Sequence, residues 1–283
     1  LPKCCVCNKQ MHNWQESTDG SKYCSEECYS TTLPKCKVCN KNMRSWIIVE
    51  KDNYCDENCL SKIFKYYRVN DVNSHLKKLG YGSVDVLLIG ATGAGKSSTI
   101  NSLTKDNTAE VGYGTEPKTM ALGNYMLSNG IQIWDTPGLG DGIENDKQHI
   151  RKISNLLQTR ISGKNSYGFI DIVVLVIEAG IRDMGTVFTL IDDVVLPNLK
   201  ESSRLLIGLN QADVAMKGKG FNYDKNQPNT ELLQFLEDKA MSVRRRIKES
   251  SKYDCNVVYY SAETGYNVTK FLDFIIDNIP LSK

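Results

Sequence analysis

The feature that most constrains this 283-residue chain is a glycine-rich loop at residues 90–97, with the sequence GATGAGKS. It fits the pattern G-x-x-x-x-G-K-[ST], which is typical of loops that bind a phosphate chain. The apolar run at residues 84–89 predicts a buried strand before the loop, and residues 98–103 predict the start of a helix after it. The loop backbone and the positive end of the helix dipole would then face the phosphates. The residues expected to bind them are Thr92, Gly93, Ala94, Gly95, Lys96, Ser97 and Ser98.

The N-terminal part of the chain is a tandem repeat that is rich in cysteine. Nine of the ten cysteines lie within residues 1–59, and each copy contains C-x2-C, a spacer and C-x3-C. Four thiolates in this pattern predict a closed tetrahedral zinc site, and zinc would stabilise a segment too short to fold by itself. Disulfide pairing is the alternative, but it fits poorly with a reduced compartment. The predicted ligands are Cys4, Cys7, Cys24 and Cys28 in one copy and Cys36, Cys39, Cys55 and Cys59 in the other.

The alignment of the two copies separates candidate ligands from their neighbours. Cys5 aligns with Lys37 and His12 aligns with Arg44, so neither Cys5 nor His12 is expected to bind metal. We interpret two aligned tryptophans, at positions 14 and 46, as residues of a small core in preference to binding surfaces. The spacing leaves open whether each copy forms its own site or the copies interleave their ligands.

The cysteine repeats resemble treble-clef and related short zinc fingers. Such fingers rarely catalyse, so the resemblance implies recognition of a protein or RNA partner. We predict zinc-finger repeats at residues 1–32 and 33–62 and a connector at residues 63–82, followed by a larger domain at residues 83–283. Helical spacing of apolar residues favours a connector that packs on the larger domain; a mobile tether is the alternative.

Strand and helix patterns alternate along the larger domain. This alternation predicts an α/β fold with a mostly parallel six-stranded sheet, one antiparallel edge strand and helices on both faces. The strands are expected at residues 84–89, 120–127, 131–134, 170–177, 204–209 and 256–260. The later helices are expected at residues 186–196, 230–250 and 269–279. Ligands of such sheets bind beyond the carboxyl ends of the strands.

Three further motifs follow predicted strands. In D-x-x-G at residues 135–138, Asp135 is suited to hold Mg²⁺ through water and the Gly138 N–H to meet a γ-phosphate. In N-Q-A-D at residues 210–213, Asp213 matches the paired N1–H and N2–H₂ donors of guanine, which adenine lacks. The third motif is S-A-E at residues 261–263. The remaining base-binding candidates are Asn210, which could bond the base edge or the loop, Gln211, Ser261 and Ala262.

These ordered motifs resemble the Ras-like G domains, which are P-loop GTPases of the TRAFAC class, over residues 82–283. The sequence DTPGL is similar to the Era/TrmE-related proteins, and the phosphate loop also resembles that of immunity-related GTPases. The resemblance implies GTP hydrolysis with Mg²⁺, in which Lys96, Thr119 and Gly138 act at the reacting phosphate. It also implies that Ser97, Thr119 and Asp135 hold the Mg²⁺ ion; Thr115 is the alternative to Thr119.

Two positions depart from the Ras-like pattern. Gln211 replaces the usual lysine, so the base would lose a charged neighbour, and Leu139 stands where Ras-like enzymes carry a water-orienting glutamine. We therefore expect a low intrinsic rate that a partner, a nucleotide-dependent dimer or the switch loops would raise.

The resulting hypothesis is a GTP-driven molecular switch whose zinc module recruits a partner. A GTP-binding adaptor with negligible hydrolysis and a ribosome- or RNA-associated assembly GTPase are the alternatives. The net charge of +2 neither favours nor excludes nucleic acid, and a basic stretch around residues 239–252 predicts a solvated helix face more than an RNA site. No apolar run reaches the length of a membrane span, and residues 1–20 lack a signal-type apolar segment, so we expect a cytoplasmic protein.

Overall fold

The computed structural model describes most of the chain. The described residues are 1–17, 19–49, 52–56, 59, 67–80, 82–104, 123–127, 130–140, 143–161, 167–199 and 201–281. They belong to two compact units, Leu1–Arg68 and Val69–Lys283. Within the described part of the chain, every helix is too short or too polar to span a bilayer.

The first unit contains the same pairing of two short strands twice. In the first copy β1 (Gln15–Glu16) pairs with antiparallel β2 (Lys22–Tyr23), and α1 (Glu26–Thr32) follows. In the second copy β3 (Ile47–Val49) pairs with antiparallel β4 (Asp52–Tyr54). The sequence repeat is therefore also a repeat of structure.

The small core of each copy is made of methionine, tyrosine and cysteine. The buried residues that recur in both copies are Cys4, Met11 and Tyr23 in the first and Cys36, Met43 and Tyr54 in the second. Trp14 and Trp46 are 43% and 41% exposed. Their interpretation as core residues is therefore wrong, because methionine and tyrosine already fill the little space beside the thiols.

Strands and helices alternate along the second unit. Its strands are β5 (Val84–Ile89), β6 (Gly123–Leu127), β7 (Ile131–Asp135), β8 (Arg160–Ile161), β9 (Tyr167–Gly168), β10 (Ile172–Glu178), β11 (Leu205–Asn210), β12 (Phe221–Asn222), β13 (Gln227–Pro228) and β14 (Val257–Tyr259). Its helices are α2 (Val69–Leu79), α3 (Lys96–Thr104), α4 (Ile143–Gln158), α5 (Gly185–Thr189), α6 (Thr230–Ser251) and α7 (Val268–Asp277).

Six of these strands form one sheet in the order β14-β11-β10-β5-β7-β6. All neighbours are parallel except β6, which runs antiparallel to β7 at one edge. Every residue of β5 and β11 is buried, so both faces of the central sheet are covered, as a parallel sheet requires. The predicted α/β fold with one antiparallel edge strand is confirmed.

The expected helix at residues 186–196 is irregular. The α-helical part is the short α5, and a π-helical turn at Leu190–Val195 and a 3₁₀ turn at Leu196–Asn198 continue it. The apolar residues of the wide turn remain buried against the core, and Pro197 lies in the 3₁₀ turn, where its missing N–H is not required.

The connector region contains α2, which belongs to the second unit. Val72 and Leu76 of this helix are buried, and Leu76 lies against Gly130 at the start of β7. Residues 60–66 and residues 105–122, which include both candidate switch threonines, lie outside the described residues.

Candidate nucleotide-binding site and cysteine clusters

The glycine-rich loop joins the end of β5 to the first residue of α3. Gly93 and Gly95 have φ angles of +80° and +86°, a region that favours glycine. A Cβ atom at Gly95 would also collide with the amide of Asn210. Lys96 is buried, and its Nζ donates to the carbonyls of Gly90 (3.2 Å) and Ala91 (3.1 Å). The loop therefore already has its compact form, with the lysine held against it.

An oxygen pair suited to Mg²⁺ lies beside this loop. The Ser97 hydroxyl donates to Asp135 Oδ2 at 3.0 Å, which brings the start of α3 to the end of β7. The other oxygen, Asp135 Oδ1, is buried and has no hydrogen-bond partner among the described residues. Burial raises the pKa of the Asp135 carboxyl, while the Lys96 charge and the Ser97 hydrogen bond lower it against that effect. A hydroxyl and a carboxylate with a free buried oxygen fit a hard cation such as Mg²⁺.

Removing the Ser97 hydroxyl should therefore separate Mg²⁺-assisted binding from simple phosphate binding. For Ser97→Ala we expect nucleotide affinity in Mg²⁺ to fall about 10- to 100-fold, the loss of one interaction with a charged group. Affinity in EDTA should stay unchanged. Calorimetric titration with and without Mg²⁺ measures both values, and Ser102→Ala, further along α3, is the control. An equal loss with and without Mg²⁺ would argue against a metal role for Ser97.

The turn after β7 packs directly on the glycine-rich loop. A Cβ atom at Gly138 would lie 2.6 Å from Thr92 Cα and 2.7 Å from Thr92 N, so only glycine fits. Thr92 N–H donates to the carbonyl of Leu139 at 2.8 Å, and Leu139 N–H donates to the carbonyl of Gly90 at 3.3 Å. The Leu139 side chain is 3% exposed and belongs to the main core. The Leu139 side chain is thus both apolar and packed into the core.

The N-Q-A-D motif joins three loops at the carboxyl ends of the strands. Asn210 Nδ2 donates to the carbonyl of Ala94 at 3.0 Å, and its Oδ1 accepts from the N–H of Ala262 at 3.0 Å. Of the two contacts expected for Asn210, this structure contains the one to the loop. Gln211, in a left-handed conformation with φ of +62°, donates to the carbonyl of Gly93 at 2.7 Å.

Asp213 is the residue of this motif with an unused buried atom. It is 4% exposed, and its Oδ1 has no hydrogen-bond partner in the described part of the chain. An unpaired buried carboxylate oxygen is costly, and such a group is explained when a ligand supplies the missing donor. Ser261 and Ala262 follow β14 at the same edge, with Ser261 fully buried.

The structure thus brings the described nucleotide-site candidates of the sequence to one edge of the sheet. Residues 92–98, 135–138, 210–213 and 261–262 lie at or just beyond the carboxyl ends of β5, β7, β11 and β14. Thr119 and its alternative Thr115 lie outside the described residues.

One residue near the site carries no sequence signal. His149 of α4 is 5% exposed, and its Nδ1 lies 3.0 Å from the carbonyl oxygen of Gly138. The two residues are eleven positions apart in the sequence, and none of the motifs above includes both.

The cysteines of the first unit form two clusters, one from each copy of the repeat. Within each cluster the four Sγ atoms lie within 4.8 Å of one another, and all ten cysteines are free thiols. The Sγ–Sγ distances include 3.4 Å for Cys7–Cys24 and 3.7 Å for Cys39–Cys55. A tetrahedral site with Zn–S bonds near 2.3 Å requires about 3.8 Å. The geometry fits one zinc ion in each copy and not an interleaved pairing.

Backbone donors prepare one thiolate in each cluster. The N–H group of Cys7 leads the contacts that lower the pKa of the Cys4 thiol to about 6. Burial raises the pKa of the Cys36 thiol, but N–H groups that include those of Cys39 and Cys55 bring it down to about 6. Because zinc binds thiolates, these N–H groups suit Cys4 and Cys36 as ligands, whereas neighbouring thiols raise the pKa of Cys28 and of Cys55. Cys5 and His12 are exposed and lie outside both clusters.

A six-stranded sheet of this order, with a phosphate loop after β5 and the later motifs at the same edge, defines the G domain of P-loop GTPases. Residues 85–211 match the protein-family model described as 50S ribosome-binding GTPase. The chain therefore contains a P-loop GTPase domain, preceded by two cysteine clusters suited to zinc. The resemblance to this class of GTPases is confirmed. No curated protein sequence matches the chain significantly.

Solved structures agree with this fold. The chain is similar to Toc33 from Arabidopsis thaliana in complex with GDP and Mg²⁺, with 19% identity, a TM-score of 0.53, and coverage of 76% of this chain and 91% of that chain. Toc33 with Mg²⁺ and GMPPNP gives 17% identity, a TM-score of 0.53, and coverage of 76% and 92%. A structure of the chloroplast translocon components atToc33 and psToc159, for which dimerization is described as important for GTPase activity, gives 17% identity, a TM-score of 0.50, and coverage of 77% and 94%.

Proposed function

We propose that this protein binds GTP with Mg²⁺, hydrolyses it to GDP and phosphate, and acts as a molecular switch whose zinc module recruits a partner. The observation that carries the choice of nucleotide is Asp213, because its buried, unpaired Oδ1 lies in the N-Q-A-D motif beside the phosphate loop. Guanine supplies two N–H donors for a carboxylate, whereas adenine supplies no such pair.

The proposed roles divide between nucleotide, metal and reaction. Lys96 contacts the β- and γ-phosphates, and Ser97, Thr119 and Asp135 hold Mg²⁺, which neutralises phosphate charge when bound. The Gly138 N–H binds the γ-phosphate. Release of that phosphate after hydrolysis would free the turn at Gly138. The base would be held by Asn210, Gln211, Asp213, Ser261 and Ala262.

Slow hydrolysis by the isolated chain is part of this proposal. Leu139 is apolar and buried in the core, so it is unable to orient an attacking water. We propose that a partner or a nucleotide-dependent dimer supplies what is missing. The dimerization described for atToc33 and psToc159 supports the dimer as the arrangement to test first.

Calorimetric titration of nucleotide-free protein with GTP, GDP and ATP in Mg²⁺ tests the nucleotide site. We expect GTP and GDP to bind and ATP not to bind. Turnover per chain is then measured over a range of protein concentrations. A rise with concentration supports a catalytic dimer, and flat, negligible turnover supports the adaptor alternative. Equal binding of ATP and GTP would refute the proposed site.

The zinc module is proposed to recognise a partner because closed Cys4 sites have no open position for chemistry. The half-exposed Trp14 and Trp46, at equivalent positions of the two copies, are suited to a binding surface. Lys22 lies over the Trp14 ring, with Nζ 5.0 Å from its centroid. We propose the divisions 1–32, 33–62, 63–82 and 83–283 for the chain, and a cytoplasmic location, where zinc-bound thiolates stay reduced.

A ribosome- or RNA-associated function is the second candidate, favoured by the description of the matching family model. The basic stretch of α6 offers less unpaired positive charge for RNA binding than the sequence suggests. Arg244 and Lys248 both pair with Asp254, at 2.7 Å and 3.1 Å. Salt-sensitive RNA retained by the purified protein would support this candidate.

A further inference from the structure

His149 makes a buried contact with the turn that follows β7. Its Nδ1 lies 3.0 Å from the carbonyl oxygen of Gly138, and the side chain is 5% exposed. Because a carbonyl oxygen only accepts hydrogen bonds, Nδ1 must carry the hydrogen in this contact. His149 is therefore a donor that α4 directs at the backbone of Gly138.

The peptide group between Gly138 and Leu139 is held from two sides. His149 holds its carbonyl oxygen, and the carbonyl of Gly90 in the phosphate loop accepts its N–H at 3.3 Å. The next carbonyl, that of Leu139, accepts from the N–H of Thr92 at 2.8 Å. Gly138 and Leu139 together have two backbone N–H groups and two backbone carbonyls. Among the described residues, three of these four groups have a hydrogen-bond partner, and the Gly138 N–H has none.

This arrangement matters because residue 138 is a glycine. A glycine backbone has more conformational freedom to lose than any other, and here a side chain would collide with Thr92. The two hydrogen bonds fix the peptide group that follows the Gly138 Cα, and so restrict the rotations that would turn the Gly138 N–H, which belongs to the preceding peptide group. A donor that is already oriented binds its acceptor at a lower entropic cost.

We propose that His149 is a positioning residue that orients the Gly138 backbone for the γ-phosphate, so that it strengthens binding of GTP and not of GDP. The proposal rests on the proposed function, in which the Gly138 N–H binds the γ-phosphate. GDP lacks that phosphate, so its affinity does not depend on the orientation of Gly138. His149 also links the γ-phosphate to α4, because the same side chain belongs to the helix and holds the turn.

The test compares variants of the full chain that keep or remove the donor. His149→Phe keeps the ring without the N–H, and His149→Asn places an amide N–H near the position of Nδ1. We expect His149→Phe to weaken a non-hydrolysable GTP analogue about 3- to 10-fold, the usual value of one hydrogen bond. GDP affinity should stay at the wild-type value, and His149→Asn should recover most of the analogue's affinity.

The GDP measurement separates positioning from a merely structural role. If His149→Phe lowered the affinities for GDP and the analogue equally, or left both unchanged, the proposal would be overturned. If His149→Phe did not fold, His149→Asn would be compared with His149→Gln, whose amide reaches the Nε2 position instead. Equal GTP-analogue affinities for those two variants would also overturn it. Failure of the proposed function is distinguishable, because the wild-type protein itself would then not prefer guanine nucleotides.

Discussion

Replacing Cys36 by serine is expected to unfold the second cysteine repeat and to reduce bound zinc from two ions per chain to one. Cys36 is buried, and its Sγ belongs to the second four-thiol cluster. A repeat of this size has a core of only a few side chains, so metal binding supplies most of its folding free energy, about 10–16 kcal/mol for structural zinc sites. The measurements are zinc content per chain and protease sensitivity within residues 33–62.

Cys5→Ser is the matched control for this prediction. Cys5 is also a cysteine of the repeat, but it is exposed and outside both clusters. Its replacement should leave zinc content and protease resistance unchanged. Both variants should keep wild-type affinity for GDP, because the residues proposed to bind phosphate and base all belong to the second unit. If Cys36→Ser kept both zinc ions, the second cluster would not be a closed site of these four ligands.

The repeat shows what could and could not be predicted about the zinc module. The membership of the two four-cysteine clusters could be predicted from aligned spacing, because a metal site constrains residue type and separation directly. The exposure of Trp14 and Trp46 was mispredicted from their hydrophobicity. In a unit this small, the space beside the thiols holds only a few side chains, and the sequence does not indicate which side chains occupy it. Spacing alone also left an interleaved arrangement open, and the clusters resolve it.

In the larger domain, the prediction worked where the chemistry is local in sequence. The alternation of strands and helices and the four motifs placed the candidate residues at one sheet edge. The contact between His149 and Gly138 was not predictable, because it depends on how α4 packs after the turn. The same holds for Leu139: its residue type indicated that it cannot orient water, but its place in the core came only from the fold.

Replacing Asp213 by asparagine is expected to produce the largest change at the nucleotide site. Without the carboxylate, the variant would lose two charge-assisted hydrogen bonds from guanine, each worth roughly 1.5–3 kcal/mol. GTP affinity should therefore fall about 10²- to 10⁴-fold. Xanthine carries a carbonyl where guanine carries its amino group. The asparagine amide can donate to that carbonyl, so the variant should bind XTP better than GTP. Calorimetric titration with both nucleotides measures the reversal.

The reversed preference for XTP over GTP is more informative than the loss of GTP affinity, because a damaged fold would lower the affinities for GTP and XTP alike. Gln211→Lys is the control: it alters the neighbouring residue, whose side chain donates to the carbonyl of Gly93. A lysine can keep that contact and add a charge beside the base, so GTP and GDP should both bind more tightly without a change in base preference. If Asp213→Asn left the preference for GTP over XTP intact, the buried Oδ1 would not face the base, and the proposed guanine specificity would fail.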